Sequence, residues 1–276
     1  MPNFWELIMI PGGEGPYAGH QGLHMDAYVS HPLPSAGTTF PAIIVVQEAF
    51  GVNAHIQKVC DKFAQAGYVA IAPAFFHRSQ PNPKLGYGDA DVPARNKFMG
   101  ALKDNEIITD VNYTVDYLQH MYPRTQGQKI GIVGFCVGGR IAYLAATSCP
   151  GVSAAVCYYP GRVLIPFGEG NKAPIELTSQ IKVPVMGNFG GQDQNPSPAD
   201  VAKIEAELKK AKATYDFKSY PQAGHGFNCD ERSSYNKAAA DDAWTRTIGW
   251  FDKHVKGSAS GRTAAAGRSA GGARRR

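Results

Sequence analysis

KIGIVGFCVGGR, residues 129–140, runs apolar as far as a cysteine set between glycines. Ile130, Ile132 and Val133 mark a strand buried on both faces, because a strand with one wet face would alternate apolar and polar residues. Such a strand usually ends in a turn of Gly, Asn or Asp. Here Gly134-Phe135-Cys136-Val137-Gly138 puts a nucleophilic sulfur at the bend. Residues 137–147 continue as a helical stretch, so Cys136 stands at a strand-to-helix turn. In an open parallel sheet, chemistry collects at the carboxyl ends of the strands. Small neighbours let strand and helix approach around a nucleophile there. The next amide then faces the attacked group, and the helix N-terminus favours a thiolate. Alone, G-x-C-x-G is a weak signal, because a structural cysteine beside a glycine turn has the same spelling.

Working outward, residues 41–47 (PAIIVVQ), 68–72 (YVAIA), 152–158 and 181–188 are further short apolar runs. Helical stretches separate them. Residues 54–66 carry Ile56, Val59, Cys60 and Phe63 at helical spacing, and 106–121 carry Ile107, Ile108, Val111, Val115 and Leu118. The stretch 198–213 opens with Ser197 as N-cap, Pro198 at the first helical position and Asp200 in the first turn. A last helix over 234–255 carries Ala239, Ala243, Trp244, Ile248 and Phe251. Strand alternating with helix implies right-handed crossovers and a parallel sheet. Ahead of it, 4–10 and 23–29 read as antiparallel strands with one wet face; in the second, Leu23, Met25, Ala27 and Val29 alternate with His24, Asp26 and Tyr28. The segments 75–100 and 160–178 show no periodicity and read as lids, binding loops or idle surface insertions.

The chain has 276 residues, 43% hydrophobic and 18% charged, which suits one large α/β domain. Its net charge of +5 comes from the end. Of 28 Lys and Arg, five are arginines after Gly257, so the 23 that remain match the 23 Asp and Glu. A single domain over 1–256 is expected, followed by a disordered basic Gly/Ala/Ser/Arg tail over 257–276. The tail's charges are too sparse for much of a nucleic-acid footprint, so such a partner is not expected. The first residues lack a basic region and interrupt their apolar run with Glu6, unlike a signal peptide. No stretch approaches the length of a membrane span. Cysteines 60, 136, 149, 157 and 229 are odd in number and without CxxC spacing, which fits reduced thiols in the cytoplasm. The i, i+4 pair His20 and His24 falls in a loop and a strand, and no metal site is expected there.

A nucleophile at such an elbow needs an acid and a base at later strand ends, in that order. Gly190-Gly191-Gln192-Asp193-Gln194 presents an acid in a glycine turn after one apolar run. Ala223-Gly224-His225-Gly226-Phe227 presents a histidine between glycines after the next strand, 216–220. Glu48 ends the apolar run 41–47, where a carboxylate is costly unless paired. It is a helix N-terminal acid, a stray acid in an ion pair, or a neighbour of Cys136.

Taken together, QEAFGVN (47–53), GFCVGG (134–139), GGQD (190–193) and GHGF (224–227), with Arg232, Tyr235, Trp244 and Arg246, resemble the dienelactone hydrolase (carboxymethylenebutenolidase) family. The resemblance covers nearly all of residues 1–255. It implies an α/β-hydrolase fold: a mostly parallel central sheet with antiparallel N-terminal strands and helices on both faces. It also implies a triad of Cys136, Asp193 and His225, and a Glu48 that holds or accepts the thiol proton and moves aside for substrate. The oxyanion donors would be the Val137 and Ala49 amides. Arginines would hold a substrate carboxylate: Arg232, and Arg78 or Arg95 from the 75–100 segment. The arginine after the histidine comes only at Arg232, because Cys229 stands four residues after His225. The expected activity is hydrolysis of a small-molecule ester or lactone through an acyl-enzyme, without cofactor. The alternatives are a broad carboxylesterase or thioesterase on neutral substrates, and a catalytically silent binding module.

Overall fold

The computed structural model describes residues 2–10, 23–33 and 38–256. The expected tail over 257–276 and His20 lie outside the described residues. The strands are β1 (Asn3–Ile10), β2 (Leu23–Ser30), β3 (Ala42–Val46), β4 (Val69–Pro73), β5 (Ile130–Phe135), β6 (Val152–Tyr158), β7 (Val185–Gly190) and β8 (Tyr215–Tyr220). They form one sheet in the order β1-β2-β4-β3-β5-β6-β7-β8. β2 pairs antiparallel with both β1 and β4, and the remaining pairs are parallel. The connecting helices are α1 (Ala54–Gln65), α2 (Val92–Ala101), α3 (Asp104–Asp116), α4 (Val137–Ser148), α5 (Pro198–Lys210) and α6 (Lys237–Phe251).

The continuously apolar strands are explained by two cores, one on each face of the sheet. Ile44 and Val46 of β3 and Ile132 of β5 pack with Val111 of α3, Ile141 of α4 and Leu208 of α5. Ile43, Val45, Val133 and Phe135 point the other way, toward Ile56 and Phe63 of α1 and Ala243 and Phe251 of α6. Cys60, Cys149 and Cys157 are sealed in these cores. Burial raises their thiol pKa values, that of Cys149 to about 12. No helix among the described residues is long and apolar enough to cross a membrane.

Three sequence boundaries shift. The aperiodic 75–100 segment contains α2, which buries only Phe98 and so has no apolar stripe to read. The helix expected at 106–121 begins at Asp104 and ends in a π-type turn over Tyr117–Met121. The last helix begins at Lys237, where the Asn236 side chain accepts from the Ala239 amide. Segment 160–178 is pinned from below. Arg140, fully buried at the start of α4, donates to the carbonyls of Arg162 (3.0 Å) and Ile165 (2.6 Å) and pairs with buried Asp104 through Nη1–Oδ1 (2.5 Å) and Nη2–Oδ2 (2.9 Å).

Candidate active site

Cys136 links β5 to α4 with φ 57° and ψ −118°, a backbone region that side chains other than glycine rarely enter. The glycines around it permit a close approach. A Cβ at Gly138 would stand 2.4 Å from the Val46 carbonyl oxygen and 2.5 Å from that of Gln47. The first turn of α4 therefore presses directly on the end of β3. Because Val46 lies beside Gly134 in the sheet, Val137 at the start of α4 and Ala49 just beyond β3 share one rim.

Asp193 follows β7 and is 2% exposed. One carboxylate oxygen accepts from the Asn195 amide (2.8 Å), and the other lies 2.8 Å from His225 Nδ1. The two loops are also laced together by backbone, from Gly191 to Tyr220 (2.8 Å) and from Gln192 to Ala223 (3.0 Å). Burial alone would lower the His225 pKa. The Cys136 sulfur, by charge and hydrogen bonding, and the Asp193 carboxylate together outweigh it and push it up to about 10. The imidazole is thus held at Nδ1 by the acid and influenced by the Cys136 sulfur. A surface cavity of about 530 Å³ opens beside His225 and Asp193.

Glu48 is completely buried, and its carboxyl group is met from two sides. Tyr87 donates its hydroxyl to Oε2 (3.2 Å), and Arg232 Nη1 lies 3.5 Å from Oε1. Arg232 reaches this place over Gly226, where any Cβ would sit 2.2 Å from its guanidinium. The three arginines are placed differently. Arg232 and Arg95 both lie near the Phe50 ring, at 5.8 and 5.9 Å from its centroid. Arg78 turns to Asp110 and Glu106, with Nη2 2.8 Å from Asp110 Oδ1, on the wall of a small cavity between the 75–79 segment and α3.

Four neighbours escaped the sequence reading. Tyr87 gives no local signal, yet its oxygen also accepts from Asn53 (3.0 Å) and from the Cys229 thiol (3.2 Å). Tyr159 stacks edge-on against His225 at 5.1 Å with its hydroxyl buried and without a hydrogen-bond partner. Its position just past β6 was the available clue. His55, second residue of α1, is 4% exposed. Burial lowers its pKa, against the pull of Glu48. Cys229 is fully buried, and its thiol is pushed up to about 11, chiefly by desolvation.

Residues 25–255 match the family model described as the dienelactone hydrolase family. A provisionally assigned carboxymethylenebutenolidase of Synechocystis sp. is 37% identical over 251 residues, covering 91% of this chain and 97% of that protein. One from Escherichia coli (strain K12), equally provisional in name, is 34% identical over 85% of this chain and 84% of its own. The crystal structure of a provisionally assigned dienelactone hydrolase from Klebsiella pneumoniae superposes with a TM-score of 0.77 at 32% identity, over 92% of this chain and all (100%) of that one. A dienelactone hydrolase-like promiscuous phosphotriesterase from metagenomic libraries shares the fold, with a TM-score of 0.72 at 18% identity over 92% of this chain and 99% of its own.

Proposed function

Since this chain belongs to the dienelactone hydrolase family and has the α/β-hydrolase fold, we propose that it is a carboxylic ester hydrolase that opens a small ester or lactone through Cys136, His225 and Asp193. The observation that carries this reading is the 2.8 Å contact from His225 Nδ1 to buried Asp193, with the Cys136 sulfur acting on the same imidazole.

The chemistry follows from those placements. The Cys136 sulfur attacks the substrate carbonyl, and its proton resides on His225. The tetrahedral oxygen takes hydrogen bonds from the Val137 and Ala49 amides, a role that the close approach of α4 to the end of β3 supports. Imidazolium protonates the departing alkoxide, leaving a thioester. Water, deprotonated by His225, then attacks that thioester, and the sulfur leaves as the thiol is restored. Asp193 keeps Nδ1 protonated and stabilises the imidazolium throughout. Glu48 controls the resting thiol's proton, and its contacts with Arg232 and Tyr87 give it a place to withdraw to.

Arg232, with Arg95 across Phe50, is the proposed holder of a substrate carboxylate. Arg78 is the weaker candidate, because Asp110 and Glu106 engage it. A turnover screen over p-nitrophenyl esters, neutral lactones and a carboxylated dienelactone tests the reading, with Cys136→Ala and Arg232→Ala as variants. Cys136→Ala should abolish turnover while folding is retained; activity above a few per cent would refute the nucleophile. Arg232→Ala should lower kcat/KM by about 10- to 150-fold on the carboxylated substrate and barely on a neutral ester. Equal effects on both would favour a neutral-ester hydrolase.

A further inference from the structure

Glu48, His55 and Cys229 offer one oxygen, one nitrogen and one sulfur within 4.8 Å of one another, all buried. They come from three separate places: the end of β3, the first turn of α1 and the turn after His225. His55 Nδ1 faces Asp230 Oδ1 at 3.9 Å. Its other nitrogen, Nε2, is buried with no hydrogen-bond partner. A buried imidazole nitrogen left unpaired is costly and calls for a ligand. His55 also lines a cavity of about 490 Å³, open to solvent, with Asn228, Asp230, Tyr235 and Lys58 among its walls.

We propose that Glu48, His55 and Cys229 form a binding site for Zn²⁺ that inhibits the enzyme when filled. Imidazole and thiolate with one carboxylate is a ligand set zinc takes readily, and three protein ligands leave a fourth position for water or the Tyr87 hydroxyl. Bond lengths of about 2.0–2.3 Å in a tetrahedron put ligand atoms roughly 3.3–3.7 Å apart, so the cluster closes with side-chain shifts of about 1 Å. Of the three ligands, His55 is the one that lines the solvent-open cavity, so the ion enters past its ring. On binding, the Cys229 thiol releases its proton to solvent and the sulfur coordinates as thiolate. Glu48 exchanges its 3.5 Å contact with Arg232 for the cation, and Arg232, partly exposed, swings outward.

The metal site stands independently of the hydrolase reading, whereas its inhibitory effect rests on that reading, through Glu48. Zinc fixed on Glu48 withdraws the carboxylate from the thiol's proton and removes the partner of Arg232. The catalytic Cys136 and His225 are the competing zinc ligands, so the test must separate the two sites.

The probes are Zn²⁺ by equilibrium dialysis and Co²⁺ by its thiolate charge-transfer absorption, measured on the full chain with folding checked by circular dichroism. Cys136→Ala should still take up one Zn²⁺ per chain and keep the cobalt–thiolate band. Cys229→Ala should lose that band, and zinc affinity should fall by about 100-fold or more, given that losing even a residue that only supports a ligand costs about 10- to 100-fold. His55→Gln should weaken binding by at least about tenfold. A band lost in Cys136→Ala but kept in Cys229→Ala would overturn the proposal, placing the metal on the catalytic pair. So would the absence of saturable uptake by Cys136→Ala up to about 100 µM zinc, a result that needs no other variant to fold. With a turned-over ester, zinc should inhibit wild type over the range that fills the site and inhibit Cys229→Ala far less. Binding without inhibition would overturn the regulatory half. A chain that turns over nothing would refute the hydrolase reading and leave the binding arms to decide the metal.

Discussion

At His225, desolvation opposes a protonated imidazole, and the Cys136 sulfur and Asp193 carboxylate reverse the balance, pushing the pKa up from 6.5 to about 10. A group whose pKa rises on folding stabilises the fold fully below its unfolded value. That contribution is present below about pH 6.5 and fades as pH climbs through about 10. The sulfur's part can be read directly. In a proton NMR titration, the His225 midpoint should fall by at least about one pH unit in Cys136→Ala, because the sulfur that favours the protonated ring is gone. An unchanged midpoint would mean that the sulfur does not act on the ring.

The turn between β5 and α4 sets the geometry of Cys136, and it carries strain. Cys136 at φ 57° is held in a conformation costing about 1–3 kcal/mol, which glycine would adopt freely. Glycine also gains entropy in the unfolded chain, offsetting about 0.4–1 kcal/mol of that relief. Cys136→Gly should therefore be more stable than Cys136→Ala by about 1–2 kcal/mol in urea denaturation, with both inactive. An alanine variant of equal or greater stability would show that the turn relaxes without cost. Elements of this kind were legible because glycine patterns and apolar runs are local. Strands β3 to β7 and the loops holding Cys136, Asp193 and His225 could be read from neighbouring letters. Helix α2 could not, since a helix burying one side chain leaves no period. Tyr87, His55 and Cys229 were equally hidden: each meets Glu48 or its neighbours only after segments far apart in the chain are brought together. Arg78, read as a pocket residue, shows the same limit, because Asp110 comes within its reach only through folding.

Across the molecule, one buried ion pair ties the sheet's two-sided scaffold to its long loop. Arg140 and Asp104 join α4 to α3, and both also hold the 160–178 segment, the acid by accepting from the Phe167 amide at 2.8 Å. Asp104→Ala should destabilise the protein by about 3–5 kcal/mol, because it leaves a guanidinium charge unpaired in the interior. Replacing both residues by apolar ones of similar volume should recover only part of this, since the Arg162 and Ile165 carbonyls lose their donor as well. A loss under about 1 kcal/mol in the single variant, measured by urea denaturation, would mean that the loop is held by other contacts. The same layered packing that positions this pair also sorts the sulfurs. Cys60, Cys149, Cys157 and Cys229 are enclosed, and desolvation keeps their thiols protonated, while Cys136 is partly open to solvent. Among its five cysteines the protein therefore presents one sulfur to thiol-selective electrophiles. Its one solvent-open thiol is also the proposed nucleophile, so on that reading a thiol-selective tag would count vacant sites directly without any cysteine having to be engineered out.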